Sequence, residues 1–454
     1  MSIEVFAILF VLFTFIILLS GIPVAFVLSG SALIFSSIGI VLGLFDYSFL
    51  LAIPNRIFGI MTNQNLLAVP LFIFMGLVLQ KTKIAEELLI AMNSLYRNTN
   101  GGFAISVVLV GALMGASTGI VGATVITLGL LSLPIMIKNN YPKELACGVI
   151  CASGTLGQII PPSLVLILLA DVLSSAYQQS QLNAGVFSPE TITISDLFAG
   201  AILPGLLLPT MFILYIKYVN INNTTSSNIE NKSVGDIKFI SSFLPPLFLI
   251  VIVLGAIIFG VATPSEASSI GAIGSLLIAL TKSKLSINII KETSRETIKL
   301  TSMVFLILIG ATFFSLVFRG LEGEELIQGL LHHGPEDKYT SLIITLSIMF
   351  FLGFILDFIE IIFIIIPLFG PVLFSFGFDP IWVGILIAMV LQTSFLTPPF
   401  GFSLFYLRGV APKEIETTDI YKGVLPFIVI QIIAIVLVFI FPEIALLIPE
   451  LITK

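Results

Sequence analysis

Charged residues are scarce in this chain, since Lys, Arg, Asp and Glu make up only 10% of its 454 residues. Typical soluble domains contain about 25% charged and about 45–50% apolar residues, whereas 57% of this chain is hydrophobic. The mean hydropathy is +1.15. This composition excludes an ordinary soluble protein and predicts an all-α polytopic membrane protein, because helices satisfy their own backbone hydrogen bonds in hydrocarbon.

Cysteine and histidine are nearly absent, with two of each. Cys147 and Cys151 lie four residues apart in one apolar run, a spacing that disfavours a disulfide. No histidine lies near them in the sequence, so a metal site is not indicated. His332 and His333 lie in a polar stretch, where a solvated pair is favoured over a proton relay. The absence of HExxH and GxGD argues against an intramembrane hydrolase, and the absence of GxxxxGK[ST] argues against ATP hydrolysis. No enzymatic activity, organic cofactor or nucleic-acid partner is predicted.

Apolar runs of about 17–25 residues mark spanning helices. Ten are predicted, and two of these contain adjacent prolines that break the helix. Two further apolar segments, 103–137 and 340–376, are interrupted midway, so each either crosses once or enters and returns as a hairpin. The ten predicted spans cover residues 3–20, 24–44, 64–80, 143–178, 195–218, 239–260, 264–281, 300–319, 380–410 and 422–441.

The distribution of basic residues favours hairpins for both interrupted segments. With two hairpins, 16 of the 20 Lys and Arg residues lie in loops on one side of the membrane. The other side holds only Arg56, Arg319, Lys338 and Lys454. The positive-inside rule places the larger set in the cytoplasm, so both termini are predicted to lie outside.

The chain is predicted to consist of two related halves, residues 1–219 and 239–454, joined by a polar cytoplasmic linker at 220–238. Each half would contain five spanning helices and one re-entrant hairpin. Because five is odd, the second half would enter the membrane inverted relative to the first.

Paired prolines support this repeat. Pro161-Pro162 in the broken helix 143–178 and Pro398-Pro399 in the broken helix 380–410 are 237 positions apart. Inverted repeats with broken helices are typical of secondary transporters, whose binding sites lie at the breaks.

The breaks and hairpin turns offer candidate ligands, because a backbone group left unpaired in hydrocarbon costs several kcal/mol and needs a partner. Cations can bind freed carbonyls, and anions can bind helix N-termini. Asp357 and Glu360 are intramembrane carboxylates, which are functional candidates by default. The alternative is that the Gly, Ser and Thr residues only permit close helix packing. Candidate substrate ligands at the breaks are Ser153, Ser163, Thr393, Ser394 and Gly401.

Four motifs together resemble one family over almost the whole chain. They are SGIPVAF at 20–26, GASTGIVGATVITLGLLSLPIM at 115–136, GTLGQIIPPS at 154–163 and ATPSEASSIGAIG at 262–274. The chain resembles the large permease subunit of tripartite ATP-independent periplasmic (TRAP) transporters, the DctM-like subunit. The resemblance implies an ion-transporter-type fold with an elevator mechanism, in which one moving domain contains both hairpins and both broken helices.

The resemblance also implies a function and partners. The family imports small organic acids, such as C4-dicarboxylates or keto acids, with sodium as the coupling ion, across the bacterial inner membrane. It acts with a small four-helix membrane subunit and a periplasmic substrate-binding protein. A carboxylate carrier of similar architecture that needs no binding protein is the alternative. The implied sodium ligands are Ser117, Thr118, Gly119, Thr155 and Pro161 in the first half, and Asp357, Thr397 and Pro398 in the second.

Overall fold

Every regular element that the structure describes is a helix. The computed structural model describes residues 2–453 except 83, 85–86, 90–91, 93–98, 100, 222–235 and 332–337. Most of the predicted linker 220–238, together with His332, His333 and Lys454, therefore lies outside the described residues. The predicted all-α membrane fold is confirmed.

Nine helices precede the linker within the described part of the chain. They are α1 Ile3–Leu18, α2 Val24–Val41, α3 Ile53–Thr62, α4 Ala68–Lys81, α5 Gly102–Thr118, α6 Val121–Lys138, α7 Lys143–Thr155, α8 Leu164–Asn183 and α9 Ile194–Ile221. Short 3-10 turns cover Tyr47–Ala52, Asn65–Leu67 and Leu156–Gln158.

Ten described helices follow the linker. They are α10 Asp236–Ile258, α11 Pro264–Thr281, α12 Ile287–Gly320, α13 Gly323–Leu331, α14 Lys338–Leu352, α15 Phe358–Ser375, α16 Pro380–Ser394, α17 Phe402–Val410, α18 Thr417–Ile440 and α19 Glu443–Thr453.

Six of these helices are long and apolar enough to cross a membrane by themselves, namely α2, α6, α9, α12, α15 and α18. A bent pair, Tyr47–Thr62 with Asn65–Lys81, could form a seventh span with a 53° change of direction. Helix α3 was not predicted, because its ten residues are fewer than a span requires and include Asn55 and Arg56. Helix α12 begins 13 residues before the predicted span at 300, because its charged first part continues the helix beyond the apolar run.

The helices pack in two groups. In the first group, α2 and α4 contact α12, and α11 contacts α4. In the second group, α5 and α6 contact α7, and α15 contacts α8. Glycines permit close approach within each group: a Cβ added at Gly310 of α12 would lie 2.6 Å from the carbonyl oxygen of Ala25 in α2. The two groups meet where α12 contacts α15 and where α4 contacts α5.

Ion pairs connect segments that are predicted to lie on the cytoplasmic side. Lys81 Nζ lies 2.8 Å from Glu296 Oε1, so α4 is paired with the charged first part of α12. Glu87 pairs with Lys282 and Lys284 after α11. Burial raises the pKa of Glu87, but the hydrogen bonds and charges of these two lysines outweigh burial and give a net lowering. These exposed and partly buried ion pairs connect the ends of the first group and contribute modestly to stability.

The two native cysteines should be inert in the folded protein. Cys147 and Cys151 on α7 are fully buried. Because a thiol must be reached by the reagent to react, we expect a maleimide to label neither residue in the native protein and both after denaturation in detergent. Mass spectrometry before and after denaturation measures this, and labelling of the native protein would contradict the packing of α7.

Candidate functional site

A small cavity of about 80 Å³ lies where the connections of two helix pairs meet. The first pair is α5–α6, joined by Gly119 and Ile120, and the second is α14–α15, joined by residues 353–357. Each pair forms a hairpin, since its two helices contact each other and are joined by a short connection. The cavity is lined by Ile73, Gly119, Ile120, Val121, Gly122, Leu164, Leu300, Met303, Val304, Asp357, Phe358, Ile359, Phe395 and Tyr406.

Gly119 shapes the tip of the first hairpin. Its φ of 61° lies in the left-handed region that ends helices, and its N–H donates to the carbonyl of Gly115 at 2.8 Å. A side chain would also collide here, since a Cβ at Gly119 would lie 3.1 Å from the backbone nitrogen of Leu164. Helix α6 then begins after Ile120, whose apolar side chain cannot cap it. The first turn of α6 thus brings amides without a side-chain cap to the cavity wall.

Asp357 occupies the corresponding place in the second hairpin. It caps α15, accepting a hydrogen bond from the Phe358 N–H at 2.7 Å, while Glu360 Oε2 accepts one from the Asp357 N–H at 3.2 Å. This reciprocal arrangement is a capping box. Asp357 is the one carboxylate among the described residues that line the cavity. It therefore serves both as a helix cap and as the cavity's negative charge.

Each hairpin lies directly against the end of the helix that follows it. In the first half, a Cβ at Gly111 would lie 2.6 Å from Ser153 Cβ, and one at Gly115 would lie 2.5 Å from Gly157 Cα. In the second half, a Cβ at Gly353 would collide with Ser394. The close contacts leave no room for side chains between hairpin and break, so the tips are fixed by backbone packing.

Both double prolines lie between two helices. The chain between α7 and α8 contains a cis Pro161-Pro162 bond, and the chain between α16 and α17 contains a cis Pro398-Pro399 bond. Gly401 is the N-cap of α17, and a Cβ there would lie 2.6 Å from the carbonyl oxygen of Phe395. These breaks interrupt the helices next to the two hairpins.

Each predicted hydroxyl ligand whose side chain the structure describes donates to a nearby backbone carbonyl of its own segment. Their oxygens keep lone pairs that can accept a hydrogen bond or bind a cation. The pairs are Ser117 with Met114, Ser153 with Val149, Thr155 with Ala152, Ser163 with Gln158, Thr393 with Met389, Ser394 with Leu391 and Thr397 with Thr393, at 2.5 to 2.9 Å.

The structure separates the predicted site residues into two sets. Gly119 and Asp357 line the cavity, whereas the hydroxyl residues at the breaks do not. Ser117 instead lines a narrow space near Pro246 of α10. The side chain of Thr118 lies outside what the structure describes.

Sequence reasoning missed Tyr406 and three buried glutamines. The ring of Tyr406 lines the cavity and is so close to the first hairpin that a Cβ at Gly122 would lie 2.8 Å from its Cζ. Gln431 Nε2 donates to Thr155 Oγ1 at 3.4 Å, while the amides of the fully buried Gln158 and Gln392 have no partner among the described residues. An amide within an apolar run is the signal that could have identified the glutamines.

Comparison with known proteins identifies the family. The family described as "Tripartite ATP-independent periplasmic transporter, DctM component" matches residues 9–444. The chain belongs to this family. It is therefore a TRAP large permease, a multi-pass inner-membrane transport protein and not an enzyme.

Curated relatives of this TRAP permease differ in substrate. The C4-dicarboxylate TRAP permease DctM of Pseudomonas aeruginosa is 27% identical, with 84% of each chain covered. The ectoine/5-hydroxyectoine permease UehC of Ruegeria pomeroyi is also 27% identical, covering 84% of this chain and 85% of the relative. The sialic acid permease SiaT of Haemophilus influenzae is 24% identical, covering 84% of this chain and 59% of that longer protein.

Two solved transporters share the fold of the TRAP permease. The YdaH transporter of Alcanivorax borkumensis aligns with a TM-score of 0.65 at 14% identity, covering 96% of this chain and 99% of that one. MtrF of Neisseria gonorrhoeae, described as an antimetabolite efflux pump, aligns with a TM-score of 0.59 at 10% identity, covering 86% and 83%. At such identities the likeness establishes the architecture alone.

Proposed function

We propose that this TRAP permease couples the inward movement of sodium to the uptake of a small organic acid, such as a C4-dicarboxylate, a keto acid or a similar carboxylate. A periplasmic binding protein delivers the substrate, and a small four-helix membrane subunit completes the transporter. The observation that carries this proposal is the meeting of both hairpin tips at one cavity that contains Asp357. The predicted inverted repeat is part of this proposal.

Sodium fits the oxygen atoms gathered around the tips. Hard cations bind carboxylate, carbonyl and hydroxyl oxygens. Asp357 supplies the charge, and the hydroxyl oxygens of Thr155 and Thr397 lie at the helix breaks with lone pairs available. A cation at each break would satisfy carbonyls that the interrupted helices leave without an amide partner.

A carboxylate substrate fits the helix ends. The first turn of α6 faces the cavity without a side-chain cap, and helix N-termini favour anions. A bound cation next to Asp357 would prevent repulsion between that carboxylate and the substrate. Sodium would therefore have to bind with or before the acid, which couples the two fluxes.

An elevator movement fits the division of the helices. The hairpins and breaks belong to the group that contacts α12 through α15, while α2 and α4 pack against α12 and α11 packs against α4. Movement along α12 would carry the tip cavity across the membrane as a unit. Each net positive charge carried inward contributes about 2.3 kcal/mol at about 100 mV, which is roughly a 50-fold accumulation.

Reconstitution in liposomes tests the proposal. The chain, its small subunit and its binding protein are purified, and uptake of labelled acids is measured with an inward sodium gradient or with potassium in its place. We expect saturable uptake only with all three components and sodium. Uptake by this chain alone would support the alternative carrier that needs no binding protein, and equal uptake in potassium would exclude sodium coupling.

A further inference from the structure

A second, larger cavity lies in the interface between the two helix groups. It has a volume of about 310 Å³, which is at the lower end of the range of about 300–1,000 Å³ for small-molecule sites. Helices α3 and α12 form one wall, and α8 and α15 form the other. The charged and amide-bearing side chains that line it are Arg56, Asn63, Asp171, Gln179 and Arg319.

The two arginines of this cavity have different surroundings. Arg319 Nε donates to Glu324 Oε1 at 2.8 Å, and its Nη1 donates to Gln179 Oε1 at 3.2 Å, so its charge is already paired. Arg56 is half-buried, and no described carboxylate lies within ion-pair distance of it. Its positive charge, next to that of Arg319, lacks a counter-ion in the described part of the chain.

The one carboxylate that lines the cavity in the described part of the chain does not form an ion pair with Arg56. Asp171 is the one carboxylate among the described lining residues, and its Oδ1 accepts a hydrogen bond from Asn63 Nδ2 at 2.7 Å. Asp171 forms an ion pair with neither arginine, and among the described lining residues Arg56 is the cationic group that has no ion-pair partner. The guanidinium of Arg56 is the remaining donor, and planar guanidinium groups bind carboxylates through two parallel hydrogen bonds.

The position of the cavity along α12 indicates when a substrate would meet it. The tip cavity contacts α12 at Leu300, Met303 and Val304, whereas this cavity contacts it from Leu308 to Arg319. Met303 and Ser315 are 12 residues apart, or about 18 Å along a helix. The basic-residue distribution places Arg56 and Arg319 on the periplasmic side. An acid arriving from the periplasm would reach this cavity before it reached the tips.

We propose that this cavity is an outer reception site for a carboxylate, in which Arg56 binds the anion and Glu324 and Gln179 hold Arg319 in position. The identity of the ligand as the transported acid rests on the function proposed above. The preference for anions does not rest on that function, because it is argued from the guanidinium of Arg56, which has no ion-pair partner in the described part of the chain.

Charge-selective labelling tests the anion preference without transport. Ser175 lines the cavity and is exposed, so Ser175→Cys places a thiol there, and the buried native cysteines stay silent. Membrane vesicles of right-side-out orientation are treated with anionic methanethiosulfonate ethylsulfonate or its cationic trimethylammonium analogue. The labelling rate for each reagent is divided by the rate at which the same reagent reacts with a free thiol in solution. We expect the anionic reagent to be favoured about tenfold, as one unit charge at close range would produce.

Variants of Arg56 identify the source of the preference. Arg56→Gln in the Ser175→Cys background should reduce the ratio to near one, and Arg56→Lys should keep most of it. Lys338→Gln, which removes a positive charge predicted to lie on the same side but outside the cavity, should leave it unchanged. A ratio near one in the parent, or the same ratio in Arg56→Gln, would overturn the proposal.

Succinate then distinguishes a substrate site from general anion attraction. If the cavity receives the transported acid, millimolar succinate should slow labelling by the anionic reagent, and chloride at the same concentration should not. Equal slowing by the two salts would overturn the reception role. Because labelling requires neither sodium nor partner proteins, failure of sodium-driven uptake would leave this result standing and would reject only the coupling.

Discussion

Uptake by an Asp357→Asn variant should require roughly a hundredfold more sodium than uptake by the unaltered protein. Removing one partner of a buried charge pair costs about 3 kcal/mol or more, and each 1.4 kcal/mol or so changes an affinity about tenfold. Asparagine caps helices as well as aspartate does, so the hydrogen bond to the Phe358 N–H can survive. The sodium concentration for half-maximal uptake in liposomes measures the effect.

Asp379→Asn is the matched control for this prediction. Asp379 also caps a helix, accepting hydrogen bonds from the N–H groups of Ile381 at 2.8 Å and Trp382 at 3.0 Å, but it does not line the tip cavity. This variant should keep the sodium dependence of the parent. If Asp357→Asn also keeps it, Asp357 neither binds sodium nor organises its site.

Gly157→Ala should abolish transport and lower the thermal stability. A Cβ at Gly157 would lie 2.6 Å from Gly115 Cα and 2.8 Å from the Gly115 carbonyl oxygen, so backbone atoms have to shift. Overpacking of this kind typically costs about 1–3 kcal/mol, and here it would also push the first hairpin away from the break between α7 and α8. Uptake in liposomes and the melting temperature in detergent measure the two effects.

Gly409→Ala provides the comparison for the added methyl group. Gly409 lies in α17, and a Cβ there would meet no atom within 4 Å. Alanine should therefore keep transport and stabilise the helix slightly, by about 0.5–1 kcal/mol. Normal transport by Gly157→Ala would show that the hairpin does not need its close contact with the break.

The double prolines at 161–162 and 398–399 indicated the two helix breaks, but prolines alone do not decide where a helix ends, since Pro245 and Pro246 lie inside α10. A proline has no N–H and disfavours helix in the residue before it. The structure accordingly ends α7 at Thr155 and begins α8 at Leu164, and it ends α16 at Ser394 and begins α17 at Phe402. Helix α3 was not predicted, because a short helix that contains Arg56 does not resemble a membrane-spanning segment.

The inverted repeat stays a prediction, but the packing offers support that the sequence could not. Gly111 contacts Ser153 in the first half, and Gly353 contacts Ser394 in the second. The two glycines are 242 positions apart and the two serines 241, close to the 237 of the double prolines. Single glycines and serines are too common in apolar sequence for such a pairing to be noticed before their contacts are known.

The composition of the sites depends on long-range contacts that no local pattern reveals. Tyr406 reaches the first hairpin from α17, and Arg56 of α3 lines a cavity with Arg319 of α12. A carboxylate within a membrane-spanning segment has a high free-energy cost. Asp357 could therefore be predicted as a functional residue from the sequence. Aromatic rings and arginines near the membrane surface have a lower free-energy cost than buried carboxylates. Their roles can therefore be inferred only from the contacts between helices.

The hairpin tips and helix breaks are proposed to form a site for sodium. A ligand that binds only the folded state stabilises it in a saturable manner. The purified chain should therefore show a saturable rise in melting temperature with sodium chloride, and none with potassium or choline chloride at the same ionic strength. The same melting temperature in all three salts would contradict the claim.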